Sequence, residues 1–341
     1  MKSDVLLEVR DLHITLDFDG DDIPVVEGIN FELPAGKVLA LVGESGCGKS
    51  ITSQSLLRLL PRELRISSGE INFRPSADQT PVNIVRLSRD GKEIRNIRGN
   101  QMSMIFQEPM SSFSLIHKIG DQIGEVIRLH LKLSKKETRA RVIELLDKVG
   151  IPDPERAVDQ YPHSFSGGMR QRAMIAKALA CNPSILIADE PTTALDVTIQ
   201  AQILAIMRNL KDEFGMAMIF ITHDLGVVAQ IADEVAIMYM GKIAEKGPVK
   251  EIFDNPQHPY TVSLLSAIPK LGDLKDRRKL TSIAGSVPSL FERPDGCAFH
   301  PRCESFIRGR CDTQAPASSM ISPQHEVHCF LHETVDAEIG S

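Results

Sequence analysis

Residues 43–50 read Gly43-Glu44-Ser45-Gly46-Cys47-Gly48-Lys49-Ser50. This is the Gly-x-x-x-x-Gly-Lys-Ser spacing of a loop that wraps the phosphates of a nucleoside triphosphate. Glycines let backbone N–H groups close on phosphate oxygens, and a helix N-terminus behind them adds partial positive charge. Lys49 would reach the outer phosphates and the Ser50 hydroxyl would hold Mg2+, with Ile51 continuing the binding segment into the helix. The motif has force only between a strand and a helix. Val38-Leu39-Ala40-Leu41-Val42 supplies the apolar strand, and residues 49–57 supply the helix. A Gly-rich turn without nucleotide would need neither flank.

Further residues capable of chemistry follow in order. Gln107 ends the run Met104-Ile105-Phe106-Gln107. Ser166-Gly167-Gly168-Met169 opens a helical stretch that runs to Cys181 and stops at Asn182-Pro183. Ile185 to Ala188 is an apolar strand delivering Asp189 and Glu190, with Ala194-Leu195-Asp196 close behind. His223 ends the strand-like run Met218 to Thr222. Carboxylates at the C-terminal end of a buried strand lie at the mouth of an α/β sheet, where ligands bind. There Asp189 would bind Mg2+, and Glu190 would act as general base on the attacking water, a role worth roughly 10²–10⁴ in rate. His223 would hydrogen-bond the γ-phosphate, and Gln107 would complete the Mg2+ or water shell. Without the phosphate loop, Asp189-Glu190 would read as a solvated strand end and His223 as a satisfied histidine near the core.

Taken together, these motifs resemble the ATPase subunit of an ATP-binding-cassette (ABC) transporter, over residues 5 to about 255. GTPases and kinases share the phosphate loop but lack the Ser-Gly-Gly signature. The resemblance implies an α/β fold: a RecA-like parallel sheet core, an antiparallel β layer and a helical subdomain at about 108–170. It also gives Ser166-Gly167-Gly168-Met169 and Asp196 a role, facing ATP held by a partner subunit so that two ATP molecules are sandwiched between two chains. On its own, a serine and two glycines at a helix N-terminus would be an ordinary cap. The family stacks adenine on an aromatic residue near the end of the first strand. Here register favours Leu16, whereas Phe18 is the nearest ring, and both stand as candidates.

The intervening elements fit that frame. Residues 38–42, 184–188 and 216–222 read as buried parallel strands, and 196–214 as a helix with Ile199, Ile203, Ile206, Leu210 and Phe214 on one face before Gly215. Residues 5–16 and 25–33 alternate as antiparallel strands, 74–98 form a polar excursion, and 108–164 are mostly helical. No internal repeat appears, so one cassette is expected. The chain has 341 residues, net charge −6 and 25% charged residues. That balance excludes a basic nucleic-acid surface. The N-terminus lacks a leader-like apolar stretch, and no apolar run approaches membrane-spanning length. The expectation is a peripheral protein on the cytoplasmic face of the inner membrane.

The tail narrows the resemblance. Residues 248–261, then Gly285-Ser286-Val287-Pro288 and Gly296-Cys297-Ala298-Phe299-His300-Pro301-Arg302-Cys303, are similar to the dipeptide/oligopeptide transporter ATPases, as is Phe106-Gln107-Glu108-Pro109-Met110-Ser111-Ser112. The usual Asn-Pro after that stretch is Ser114-Leu115 here. Two domains follow: a cassette over 1–255 and an extension over 256–341. Four of six cysteines, Cys297, Cys303, Cys311 and Cys329, fall in the extension, separated by five, seven and seventeen residues. Those spacings lack the close pairs of common zinc modules. Four thiolates suit a 4Fe–4S cluster, which the resemblance also implies. Zinc with His300, His325 or His328, and no metal at all, remain alternatives. A tail poor in apolar runs calls for a staple, so such a cluster would be structural or redox-sensing. Cys47, beside Lys49 and a helix N-terminus, is either a low-pKa reactive thiol or simply a small residue at a variable loop position. Cys181 reads as packing.

The resemblance further implies two transmembrane permease subunits, a paralogous ATPase or a second copy of this chain, and an extracytoplasmic solute-binding protein. Peptide is the default cargo, with oligosaccharide, nickel or an opine-like conjugate as alternatives. A soluble ABC ATPase of DNA repair or translation is the rival class, but coiled coils, tandem cassettes and basic surfaces are not evident.

Overall fold

The structure is a computed structural model that describes residues 4–107, 112–193, 195–267, 283 and 285–333. Glu108 to Ser111 and Ala194 lie outside the described residues.

The chain opens with a long hairpin, β1 (Val5–Phe18) and β2 (Asp21–Pro34). Asp19 and Gly20 both take positive φ, 53° and 90°, the two-residue turn whose twist matches flanking strands. Along β1 the most deeply buried residues are Val5, Leu7 and Val9, then Leu12 and Ile14, with Leu6 and Glu8 slightly less enclosed. An alternating strand cannot switch from odd to even positions unless a residue is inserted. The register slips between Val9 and Leu12, and Asp11 there has φ 44°, so a bulge restores the apolar face. β3 (Val38–Val42) is wholly buried and leads through the phosphate loop into α1 (Lys49–Leu56). β4 (Leu64–Phe73) and β5 (Val82–Asn83) complete an antiparallel sheet of order β2-β1-β4-β5. Residues 74–98 are more than a polar excursion. A short 3-10 turn (Ile84–Arg86) and α2 (Lys92–Ile97) bury Ile84, Ile94 and Ile97 beneath that sheet.

After β6 (Met102–Ile105) come the helices α3 (Ile119–Leu131), α4 (Lys135–Lys148) and α5 (Pro154–Ala157), with a capping box between Ser134 and Glu137. α6 (Gly167–Ala178) stops short of Cys181, leaving Asn182 at φ 51° before Pro183. Then follow β7 (Ile185–Asp189), α7 (Val197–Phe214), β8 (Ala217–Thr222), α8 (Leu225–Ile231), β9 (Glu234–Tyr239), β10 (Lys242–Pro248), α9 (Val249–Asp254) and α10 (Pro259–Ser266). Gly215 at φ 62° ends α7 as its sequence position predicts.

The main sheet has the order β11-β12-β10-β9-β3-β8-β7-β6, where β11 (Ser319–Ser322) and β12 (His325–Val327) come from the tail. From β9 to β6 the strands are parallel, and β10, β12 and β11 add antiparallel to one edge. The parallel strands are continuously apolar because both faces are covered. The extension therefore joins the cassette's sheet, with Glu245 opposite Val327. Tyr260, Ala298 and Phe299 also share one core with Val235, Ile237 and Tyr239. Among the described residues no helix is long and apolar enough to cross a membrane.

Candidate functional site

The phosphate loop is shaped by what crowds it. A Cβ on Gly43 would stand 2.2 Å from the Met238 carbonyl oxygen and 2.7 Å from Cys47 Sγ, so only glycine fits. Gly48 caps α1 at φ 97°, a conformation L side chains avoid. Ser45 and Gly46 form the exposed crest, whereas Ile51 packs half-buried against the core behind. Lys49 is buried, and its Nζ donates to the Gly43 and Glu44 carbonyls at 2.7 and 2.9 Å. Cys47 is also buried, and burial pushes its thiol pKa up despite nearby Lys49. Burial and a raised thiol pKa argue against the reactive reading of Cys47 and for the small-residue reading. Cys181 is likewise buried, its thiol pushed up by burial to about 11.

Parallel pairing of β7 with β8 brings the remaining candidates to the loop. Ser50 Oγ donates to Asp189 Oδ1 at 3.1 Å. Burial raises the Asp189 carboxyl above its ordinary range, while the Ser50 hydrogen bond opposes this. Glu190 sits next to it at φ 47°, a left-handed conformation that costs a non-glycine residue about 1–3 kcal/mol. Its Oε2 accepts from Gln107 Nε2 at 3.0 Å and from Thr193 Oγ1 at 2.9 Å, and its Oε1 lies 3.1 Å from His223 Nδ1. Burial works against the Glu190 charge, but the bonds from His223 and Thr193 outweigh it and hold the carboxyl below its ordinary range. The group is thus an ionised carboxylate, aimed and ready to accept a proton. Gln107, Glu190 and His223, all singled out in the sequence, converge. Thr193 was missed, and its only signal was a hydroxyl three residues past Glu190.

The signature segment stands apart. Ser166 caps α6 by accepting from Met169 N at 3.3 Å. Ser166 and Gly167 are exposed, a Cβ on Gly167 would meet nothing within 4 Å, and one on Gly168 would meet only Ile199. Asp196 caps α7 through Ile199 N at 3.0 Å and is exposed. Gln171, two residues past Met169, is buried and donates to the Pro191 carbonyl, tying the signature helix to the segment after Glu190. At the end of β1, Leu16 is drawn half-buried against the core, whereas Phe18 is exposed with its ring 5.1 Å from that of Phe291 in the tail.

In the extension the Cys297, Cys303 and Cys329 thiols are raised by burial first, with neighbouring cysteines adding to the shift. Cys329 is pushed to about 11, first by burial and then by Cys297, Cys303 and Cys311. Each sulfur has a backbone N–H near it: Phe299 and His300 at Cys297, Ser305 at Cys303, Ile307 at Cys311 and Leu331 at Cys329. Among the described residues, however, no three His, Cys, Asp or Glu side chains form a group that would hold one metal ion. The histidines of the zinc alternative each have at least one ring nitrogen engaged. His325 Nε2 is 2.7 Å from Glu245 Oε1, His328 Nε2 is 3.3 Å from Glu326, and His300 Nδ1 is 3.0 Å from the Cys297 carbonyl.

A phosphate loop, a strand-end carboxylate pair and a signature helix on this mixed sheet define an ATP-binding cassette. Family models agree: "ABC transporter" matches residues 26–193, and "Oligopeptide/dipeptide transporter, C-terminal region" matches residues 244–311. The chain is 48% identical to a putative peptide import ATP-binding protein of Brucella ovis, over 99% of this chain and 100% of that protein. It is 49% identical to the dipeptide transport ATP-binding protein DppD of Bacillus subtilis, covering 96% and 95% of the two. With the oligopeptide transport ATP-binding protein OppD of the same organism it shares 49% identity, covering 96% and 88%. Among solved structures, cbiO1 of Clostridium perfringens, part of a cbiONQ ABC transporter complex, superposes with TM-score 0.62 at 28% identity, over 80% of this chain and 99% of that one. The ADP- and phosphate-bound dimeric cassette MJ0796 has the same fold, with TM-score 0.62 at 24% identity, over 72% and 99%. The chain belongs to the ATP-binding subunits of ABC transporters and is an ATP-hydrolysing transport subunit.

Proposed function

We propose that this chain is one of two ATPase subunits powering a peptide importer, acting on two membrane-spanning permeases at the cytoplasmic face of the inner membrane. An extracytoplasmic solute-binding protein would deliver the cargo. The observation that carries the catalytic part is the Glu190 carboxylate, held by Gln107, Thr193 and His223 beside the Ser50–Asp189 pair. Peptide as cargo rests on what the relatives are named for.

In this reading Glu190 accepts the proton of the water attacking the γ-phosphate, and His223 orients that water and the phosphate. Ser50, Asp189 and Gln107 are oxygen donors of the kind Mg2+ prefers, and the ion would neutralise phosphate charge. The exposed end of α6, with Ser166, Gly167, Gly168 and Met169, together with Asp196, would meet the ATP of the partner, a paralogue or a second copy. Binding of two ATP molecules then favours the closed pair, and hydrolysis reopens it. Phe18 is a better platform for adenine than Leu16, because its ring is exposed whereas Leu16 belongs to the core.

For the extension, taken from residue 256 onward, we propose that Cys297, Cys303, Cys311 and Cys329 hold a 4Fe–4S cluster. The support is the donor set itself: four cysteines, each sulfur near a backbone N–H, three of whose thiols are raised by burial and by neighbouring thiols. Anaerobic purification tests it: brown protein with iron and sulfide is expected, and colourless protein without iron refutes it. Gentle purification from native membranes tests the whole. Co-purifying multi-span subunits, a second ATPase and a peptide-loaded binding protein support the importer; recovery with ribosomes or DNA overturns it.

A further inference from the structure

Glu44, the second residue of the phosphate loop, is held at three points. Its carbonyl accepts from Lys49 Nζ at 2.9 Å, and its backbone N–H donates to the hydroxyl of buried Tyr260 at 3.0 Å. Its carboxylate is gripped by Arg302, with Nη1 at 2.8 Å from one oxygen and Nη2 at 3.2 Å from the other. That fork geometry fixes direction as well as distance. The Arg302 side chain is 4% exposed, and its guanidinium lies 5.8 Å from the Tyr239 ring centre and 6.0 Å from that of Phe299. Its backbone is fixed in the tight turn between Cys297 and Cys303, where His300 N bonds the Cys297 carbonyl and Arg302 N the Phe299 carbonyl, at 2.9 and 3.0 Å.

We propose that the C-terminal extension braces the phosphate loop, with Arg302 as the positioning residue that sets loop geometry and hence nucleotide affinity. A loop with glycines at 43, 46 and 48 has many conformations to lose when it closes on phosphates. Anchoring Glu44 from outside removes part of that freedom beforehand, and pre-ordering of this kind appears as tighter binding. Because Lys49 is bonded to the Glu44 carbonyl, displacing Glu44 also displaces the lysine. The inference rests on ATP binding at this loop. It is independent of the cargo.

The test is a binding cycle on the full chain with a fluorescent ATP analogue, alongside thermal melts and steady-state ATPase. Arg302→Met and Glu44→Gln are each expected to weaken binding about tenfold, a typical size for coupled contacts. The double variant should be no weaker than the worse single one, and Arg302→Lys should recover part of the loss. For Arg302→Met, KM for ATP should rise while kcat stays within twofold. A folded Arg302→Met variant binding within twofold of wild type would overturn the brace, as would a double variant showing the product of the two single losses. Should Arg302→Met fail to fold, a folded Glu44→Gln variant with unchanged affinity would overturn it equally. Loss of all ATP binding by the wild type would instead condemn the phosphate-loop reading itself.

Discussion

Replacing Glu190 by Gln isolates the charge of the base from its shape. The glutamine amide has the same outline, and its oxygen can accept from Gln107 and Thr193 where Oε2 now does, at 3.0 and 2.9 Å. Its NH2 then faces His223 Nδ1, which accepts in the other ring tautomer, so no buried donor is stranded. The backbone at φ 47° is no harder for Gln than for Glu, so stability should move by less than about 0.5 kcal/mol. Catalysis is different. A carboxylate held ionised by His223 and Thr193 is replaced by a group that cannot take a proton. General-base catalysis is worth roughly 10²–10⁴ in rate, about 3–5 kcal/mol of barrier. Phosphate release at saturating ATP should therefore fall at least a hundredfold, while affinity for nucleotide and the melting temperature stay near wild type. Retention of more than a tenth of wild-type turnover would refute Glu190 as the base.

Three further outcomes follow from the same geometry. His258 is buried with its pKa lowered to about 3 from 6.5, by burial first and then by His328 and His332. Protons thus favour the unfolded chain: this stability is present above pH 6.5 and drains as pH falls toward 3, about 2 kcal/mol of it between pH 6.5 and 4.5. Melting temperatures should slope accordingly in wild type and lose that component in His258→Gln; an unchanged slope would remove His258 as its source. Maleimide at pH 7.5 should leave Cys47 and Cys181 unlabelled until the protein is denatured, because burial raises both thiols; peptide mapping that finds native labelling at Cys47 contradicts this. Gly43→Ala, meeting the Met238 carbonyl at 2.2 Å, should destabilise by up to about 3 kcal/mol and lose nucleotide. Gly46→Ala meets nothing within 4 Å and carries only the backbone cost of φ 80°, about 1–2 kcal/mol, so the two melts should differ clearly.

Much of the catalytic centre was legible because its parts obey local rules. Lys49 and Ser50 follow a strand and open a helix, and Asp189 and Glu190 end an apolar run. Such patterns are set by chain geometry over a few residues and need no knowledge of distant contacts. Gln107 and His223 stood out as polar ends of apolar runs, and parallel pairing of β6, β7 and β8 carried them to Glu190. Burial argues against the reactive reading of Cys47, and motif spacing carries no information on burial. The excursion at 74–98 looked polar because Ile84, Ile94 and Ile97 are too scattered to show a period.

The sequence by itself thus determined the nucleotide chemistry, the strands and helices that carry its motifs, and the family. Tertiary structure alone decided how the tail meets the cassette. Nothing local ties Arg302 to Glu44, 258 residues apart, or seats β12 against β10. Those contacts exist because an unpaired sheet edge and the buried Arg302 guanidinium both require partners, and the folded chain brings them together from its two ends.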